Sequence, residues 1–107
     1  MSGQWEGEAI TALAVSHNKK HIALAERSDP ALIAIFDTHS HRRKKVLTTT
    51  QIQAREYVSL AFNPANKDHI IALTAEPDWT IILWEWQGVK PLIFHRVGVQ
   101  GVHQQLY

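Results

Sequence analysis

Apolar residues fall in eight short runs separated by polar turns, and the runs come in two sets of four. The first set occupies 10–16, 21–26, 31–37 and 43–49; the second occupies 58–63, 69–75, 80–86 and 90–96. His17-Asn18-Lys19-Lys20, Arg27-Ser28-Asp29-Pro30 and Thr38-His39-Ser40-His41-Arg42 divide the first set. Pro64-Ala65-Asn66-Lys67-Asp68, Glu76-Pro77-Asp78 and Gln87-Gly88 divide the second. Runs this short, bounded by turn-forming residues, predict β-strands, so each set reads as a four-stranded meander. Pro30 has no N–H to donate and a fixed φ, which suits a loop and not a central strand.

The two sets are copies of one another. Leu13-Ala14-Val15-Ser16 returns as Leu60-Ala61-Phe62-Asn63, and Ile33-Ala34-Ile35-Phe36-Asp37 returns as Ile81-Ile82-Leu83-Trp84-Glu85. His21 returns as His69 and Asp37 as Glu85, in both cases 48 residues on. A repeat of roughly 40–50 residues built from short apolar runs is the signature of propeller blades and similar arrays. The third runs add a physical constraint. Ile33-Ala34-Ile35-Phe36 and Ile81-Ile82-Leu83-Trp84 are apolar on both alternating faces, so each strand needs cover on both sides. Parallel sheets meet that need with flanking helices, but no amphipathic helical pattern lies between these runs. Radially stacked blades account for the pattern better. The polar stretch 51–56 between the sets has some helical propensity.

With the runs in place, each unit resembles a WD40 repeat, with Phe36-Asp37 and Trp84-Glu85 standing where the family's Trp-Asp dipeptide closes the third strand. The order of 10–16, Ala25-Glu26-Arg27, Arg42-Arg43-Lys44-Lys45-Val46-Leu47, 57–64 and Trp84-Glu85-Trp86 is similar to the N-terminal region of the cilia- and flagella-associated protein 57 family. The likeness covers roughly residues 9–95. It implies two propellers followed by coiled coil in the full family protein, a place in the axoneme, and a part in assembling inner dynein arms. Neither unit carries the Gly-His pair that opens many WD40 repeats, and Glu85 stands where Asp is typical. The family's hydrogen-bond relay from that Asp is therefore not carried over. Two units also fall short of the ~4–8 blades of a closed propeller, so the expected product is an incomplete one, a fragment or a truncated form.

Composition narrows the function classes. Of 107 residues, 11 are basic and 10 acidic, giving a net charge of +1. That field is too weak to imply nucleic acid or an anionic membrane. There are no cysteines, which removes disulfides and thiolate chemistry and agrees with a reducing compartment. The start, 1–8, has two acidic residues and no basic segment, arguing against a secretory peptide. Its apolar runs are far below the ~20 residues needed to span a bilayer as a helix.

Several groups of residues are candidates for chemistry. Asp37, His39 and His41 share one face if extended, and two imidazoles with a carboxylate form a known metal set. The dipeptide reading puts Asp37 at a strand end and both histidines in a turn, so a solvated turn is favoured and no metal or other cofactor is expected. Arg42, Arg43, Lys44 and Lys45 form the one charge cluster. It is either a contact for an acidic partner or a solvated, positively charged edge that resists wrong pairing; the near-balanced charge favours the edge. No aromatic residue interleaves with it, which disfavours a single-stranded nucleic acid. Trp84 is expected to anchor blade packing, with Trp79 and Trp86 at exposed rims. Thr48-Thr49-Thr50 has no nucleophile elbow beside it, and the five glycines form no phosphate loop. An enzyme is not expected.

The resulting expectation is an all-β chain: a segment 1–8, a blade over 9–50, a connector 51–56, a second blade over 57–96 and a divergent tail 97–107, poorly ordered unless held. Its expected role is a non-catalytic protein–protein scaffold, with axonemal or dynein-arm partners implied by the resemblance. Its outer faces await other blades or self-association, because an exposed Ile81-Ile82-Leu83-Trp84 segment favours β-aggregation. The alternatives are a small module binding an acidic partner through 41–45, or a truncated product without a function of its own.

Overall fold

The computed structural model describes residues 9–97; the expectations for 1–8 and for the tail beyond residue 97 lie outside the described residues. Eight strands form: β1 Ile10–Val15, β2 His21–Glu26, β3 Leu32–Asp37, β4 Arg43–Leu47, β5 Tyr57–Asn63, β6 Asn66–Thr74, β7 Thr80–Glu85 and β8 Lys90–Arg96. They make two four-stranded sheets in the orders β1-β2-β3-β4 and β5-β6-β7-β8. Every neighbouring pair is antiparallel. The all-β expectation of two four-stranded units holds.

The registers decide which residues share a face. In the first sheet Ala12, Ala25, Ile33 and Leu47 lie in one row across the strands, with Ala14, Ala23 and Ile35 in the next. In the second sheet the corresponding rows on one face are Leu60, Ala72, Ile82 and Phe94, then Phe62, Ile70 and Trp84. These two faces pack on each other and form one core. The match is steric: the first sheet offers four alanines and so leaves room, and the second fills it with Phe62, Phe94 and Trp84. Close-packed interiors need this pairing of small against large. Ala23, Ala25, Ile33, Ile35, Ile70, Ile82 and Trp84 are all fully buried.

The structure corrects three expectations. The connector 51–56 is not helical. Ile52 and Ala54 are buried while Gln51, Gln53 and Arg55 are exposed, an alternation that suits an extended segment pressed against the core. The turn expected over 64–68 shrinks to Pro64 and Ala65, because Asn66, Lys67 and Asp68 join β6. Trp86 is buried, not a rim residue. Among the described residues no helix is long and apolar enough to cross a membrane.

Candidate interaction surfaces

Backbone and side-chain hydrogen bonds hold the seam between the sheets at its inner end, where β1 and β5 run side by side. The Thr11 hydroxyl donates to the Tyr57 carbonyl at 2.8 Å. Ser28 N–H donates to the Arg55 carbonyl at 2.9 Å, and Ala31 N–H to the Ala54 carbonyl at 3.1 Å. Asp78, in the β6–β7 loop, fixes the connector from the other side: one carboxylate oxygen accepts the N–H groups of Gln53 at 2.6 Å and Ala54 at 2.7 Å. Bonds to an ionised acceptor are among the stronger ones. An Arg27–Glu56 ion pair at 3.3 Å spans the same region at the surface and adds little there.

Trp86 closes the outer end of the seam. Its indole N–H donates to the Lys67 carbonyl at 2.9 Å, and its ring lies 4.8 Å from the His21 imidazole of the first sheet. Burial holds the His21 pKa below its ordinary value, against the opposing pull of Asp37. Deeper in the core, burial pushes the Tyr57 hydroxyl well above the usual phenol range. Neither that hydroxyl nor the Trp84 indole N–H meets a partner with full hydrogen-bond geometry, although the indole acts on the phenol and favours its ionised form slightly. Sequence reasoning missed Asp78 and placed Trp86 at an exposed rim. Asp78 sits in a turn of common composition, while Trp86 is one of three tryptophans within eight residues, and that aromatic density was the signal for burial that the rim expectation passed over.

The dipeptide positions end their strands as equivalents. Trp84 is fully buried by the first sheet, whereas Phe36 is half-buried, since among the described residues no third sheet covers its face. Asp37 spends one carboxylate oxygen on the turn that follows, accepting the N–H groups of His39 at 2.8 Å and Ser40 at 2.9 Å. Those two bonds hold its carboxyl below the ordinary carboxylate range. His41 has φ 63° and donates its N–H to the Asp37 carbonyl, so the three residues form a tight turn instead of an extended face. Among the described residues no group of three or more metal-ligating side chains comes together. Glu85 pairs in register with His69 and Lys90. Arg42, Arg43 and Lys44 are exposed, and Lys45 is half-buried. The last three lie on β4, the outer edge of the first sheet.

Among the described residues, no other sheet packs on the second face of either sheet. On the first, a groove of about 310 Å³ runs beside Ile22, Leu24 and Phe36. On the second, a groove of about 400 Å³ runs beside Val58, Ala61, Ile71 and Leu73. Leu13 is 59% exposed and Ile71 43%, which marks these as apolar faces open to solvent. Contiguous exposed apolar surface of this kind is characteristic of interaction sites.

Solved structures share this arrangement. The chain superposes on the WD40 repeats of RRP9 with a TM-score of 0.71 at 18% identity, covering 87% of this chain and 26% of that one; U3-55K gives the same values. No family model matches the sequence. Among whole proteins, the chain is 30% identical over 105 residues to cilia- and flagella-associated protein 57 of Mus musculus, covering 94% of this chain. The two sheets are WD40-type blades, and the chain resembles cilia- and flagella-associated protein 57. Cilia- and flagella-associated protein 57 A of Tetrahymena thermophila is 37% identical over 54 residues, half of this chain. Cilia- and flagella-associated protein 44 of Mus musculus is 30% identical over 97 residues, 90% of this chain. The chain spans only 8%, 4% and 5% of the lengths of these three relatives.

Proposed function

We propose that this WD-repeat chain is a non-catalytic protein–protein interaction scaffold of the motile cilium or flagellum axoneme, and that it serves in inner dynein arm assembly. Residues 9–50 and 57–96 act as its two blades, joined by the connector 51–56. The observation that carries this reading is the likeness to cilia- and flagella-associated protein 57 across 94% of the chain. The uncovered apolar faces support it, because surfaces of that kind exist to be occupied. The ordered polar groups agree: Thr11, Asp37 and Asp78 are all engaged in holding turns and the seam.

The test is fractionation of ciliated cells that carry a tagged copy of the endogenous gene. The reading predicts that the tagged chain stays with axonemes after detergent extraction, and that its depletion lowers the inner dynein arm content. Complete release into the detergent-soluble fraction refutes the axonemal assignment. A second reading follows from the exposed Arg42, Arg43 and Lys44 at the edge of the first blade: a module that grips an acidic partner through 41–45. Reversing the charge of Arg42, Arg43, Lys44 and Lys45 together separates the two. The scaffold reading predicts little loss of partner binding, and the module reading near-complete loss.

A further inference from the structure

We infer that the two uncovered blade faces recognise each other between copies of this chain, head to tail, and close into a ring of three or four chains. The internal repeat supplies the reason. The register rows of the two sheets correspond one to one. On the second face of the first blade, the row of exposed Leu13, half-buried Leu24 and Val46 and buried Ala34 is the equivalent of Leu60, Ala72, Ile82 and Phe94, with which the second blade already packs on the first. On the other side, Ser59, buried Leu73 and Ile81 on the second face of the second blade stand where the first blade has Ala12, Ala25 and Ile33. The exposed face at one end of the chain is thus a copy of one half of the internal seam, and the exposed face at the other end copies the other half. A contact between copies continues an interface the chain already makes.

Side-chain sizes match the second seam as they match the first, with the sizes exchanged. Where the internal seam sets Phe62, Trp84 and Phe94 against Ala23 and Ala25, the open faces carry Val15, Phe36 and Val46 against Ile71 and Leu73. The donor face has become smaller and the acceptor face larger, so the space between them fills to a similar extent. The second seam differs in its polar groups: Ser59 stands where the first blade has Ala12, and His95 where it has Leu47. Val58 takes the place of Thr11 at the register shift that opens the first strand, so the hydroxyl bond to the neighbouring strand is not repeated. Two different patches meeting head to tail give a heterologous contact, which forms a ring when its rotation closes. The two blades together superpose on part of a WD40 chain with a TM-score of 0.71, and this chain covers 26% of that one. Three or four copies then supply about six to eight blades, within the ~4–8 of closed propellers.

The test uses the full 107-residue chain and two variants at exposed positions, Leu13→Glu on the first blade and Ile71→Glu on the second. Sedimentation or light scattering of the unaltered chain at micromolar concentration should give three or four times the 12.2 kDa chain mass. Each variant alone should sediment as a monomer, because one of its two faces is blocked. An equimolar mixture should give a dimer, pairing the intact second blade of Leu13→Glu with the intact first blade of Ile71→Glu; its appearance also shows that both variants are folded. Circular dichroism of each variant supplies an independent check on folding. A monomeric unaltered chain, which leaves the faces to further blades or another protein, overturns the inference. So does growth without limit, dimerisation of either variant alone, or a mixture of folded variants that stays monomeric.

Discussion

Replacing Trp84 by alanine tests whether the two blades form one folding unit. Trp84 belongs to the second blade but is fully buried by the first. A tryptophan side chain buries about 200 Å², so at ~25 cal/mol per Å² its removal costs up to about 5 kcal/mol. Aromatic-to-alanine changes in cores cluster at about 3–5 kcal/mol, a large part of the ~5–15 kcal/mol that holds a domain of this size. In urea, with a slope of ~1.5 kcal/mol per M, a loss of about 3 kcal/mol lowers the midpoint by about 2 M. The measurement is best made in the Leu13→Glu background, which keeps the chain single, with Leu92→Ala as a control. Leu92 is 44% exposed, so the control should shift stability by about 0.5 kcal/mol or less. Hydrogen exchange then shows where the loss falls. If the seam is one core, the amides of Ala23, Ala25, Ile33 and Ile35 in the first blade lose protection together with those of Ile70 and Ile82 in the second. Unchanged protection in the first blade would refute the shared-core reasoning.

Two further outcomes follow from the polar groups of the seam. Asp78→Ala removes the acceptor for Gln53 and Ala54; we expect a loss of about 1.5–3 kcal/mol and faster proteolysis within 51–56, and unchanged cleavage would contradict the tether. The His21 imidazole, its pKa lowered by burial, should titrate by NMR below its ordinary 6.5, and Trp86→Ala should move it back up. Because the folded value is the lower one, His21 contributes stability that is complete above pH 6.5 and is lost as pH falls toward the folded value. A midpoint unaffected by Trp86→Ala would show that the tilted Trp86 ring does not cause the burial.

The strands were legible where apolar runs meet polar turns sharply. β2 and β8 coincide with the runs 21–26 and 90–96 because His17-Asn18-Lys19-Lys20 and Gln87-Gly88 mark their starts and no polar residue needed to join the ladder. β6 was less legible: Asn66, Lys67 and Asp68 look like a turn by composition, yet Asn66 pairs with Asn63 and all three lengthen the strand. The connector carried a usable signal in the strict alternation Gln51, Ile52, Gln53, Ala54, which outweighs the helical propensity of its residue types. Apolar patterning also showed that the third strands need cover on both sides. It could not show that the cover comes from one side only within this chain, leaving Phe36 half-buried while Trp84 is enclosed. The seam's polar ties were the least legible. Asp78 reaches residues 24 and 25 positions earlier, and Trp86 meets His21 across both sheets; neither separation leaves a local trace.

The shared core, the seam and the open faces all depend on the two sheets stacking as adjacent propeller blades, with Trp86 of the second closing over His21 of the first. Nuclear Overhauser spectroscopy on the assigned chain tests that stacking most directly, since the two ring centres lie 4.8 Å apart. Stacked blades predict a strong cross-peak between the Trp86 indole and the His21 imidazole, together with cross-peaks from Trp84 to the methyl groups of the Ala23 and Ile35 row. Intact cross-strand peaks within each sheet, with silence between Trp86 and His21 and between Trp84 and that row, would contradict it.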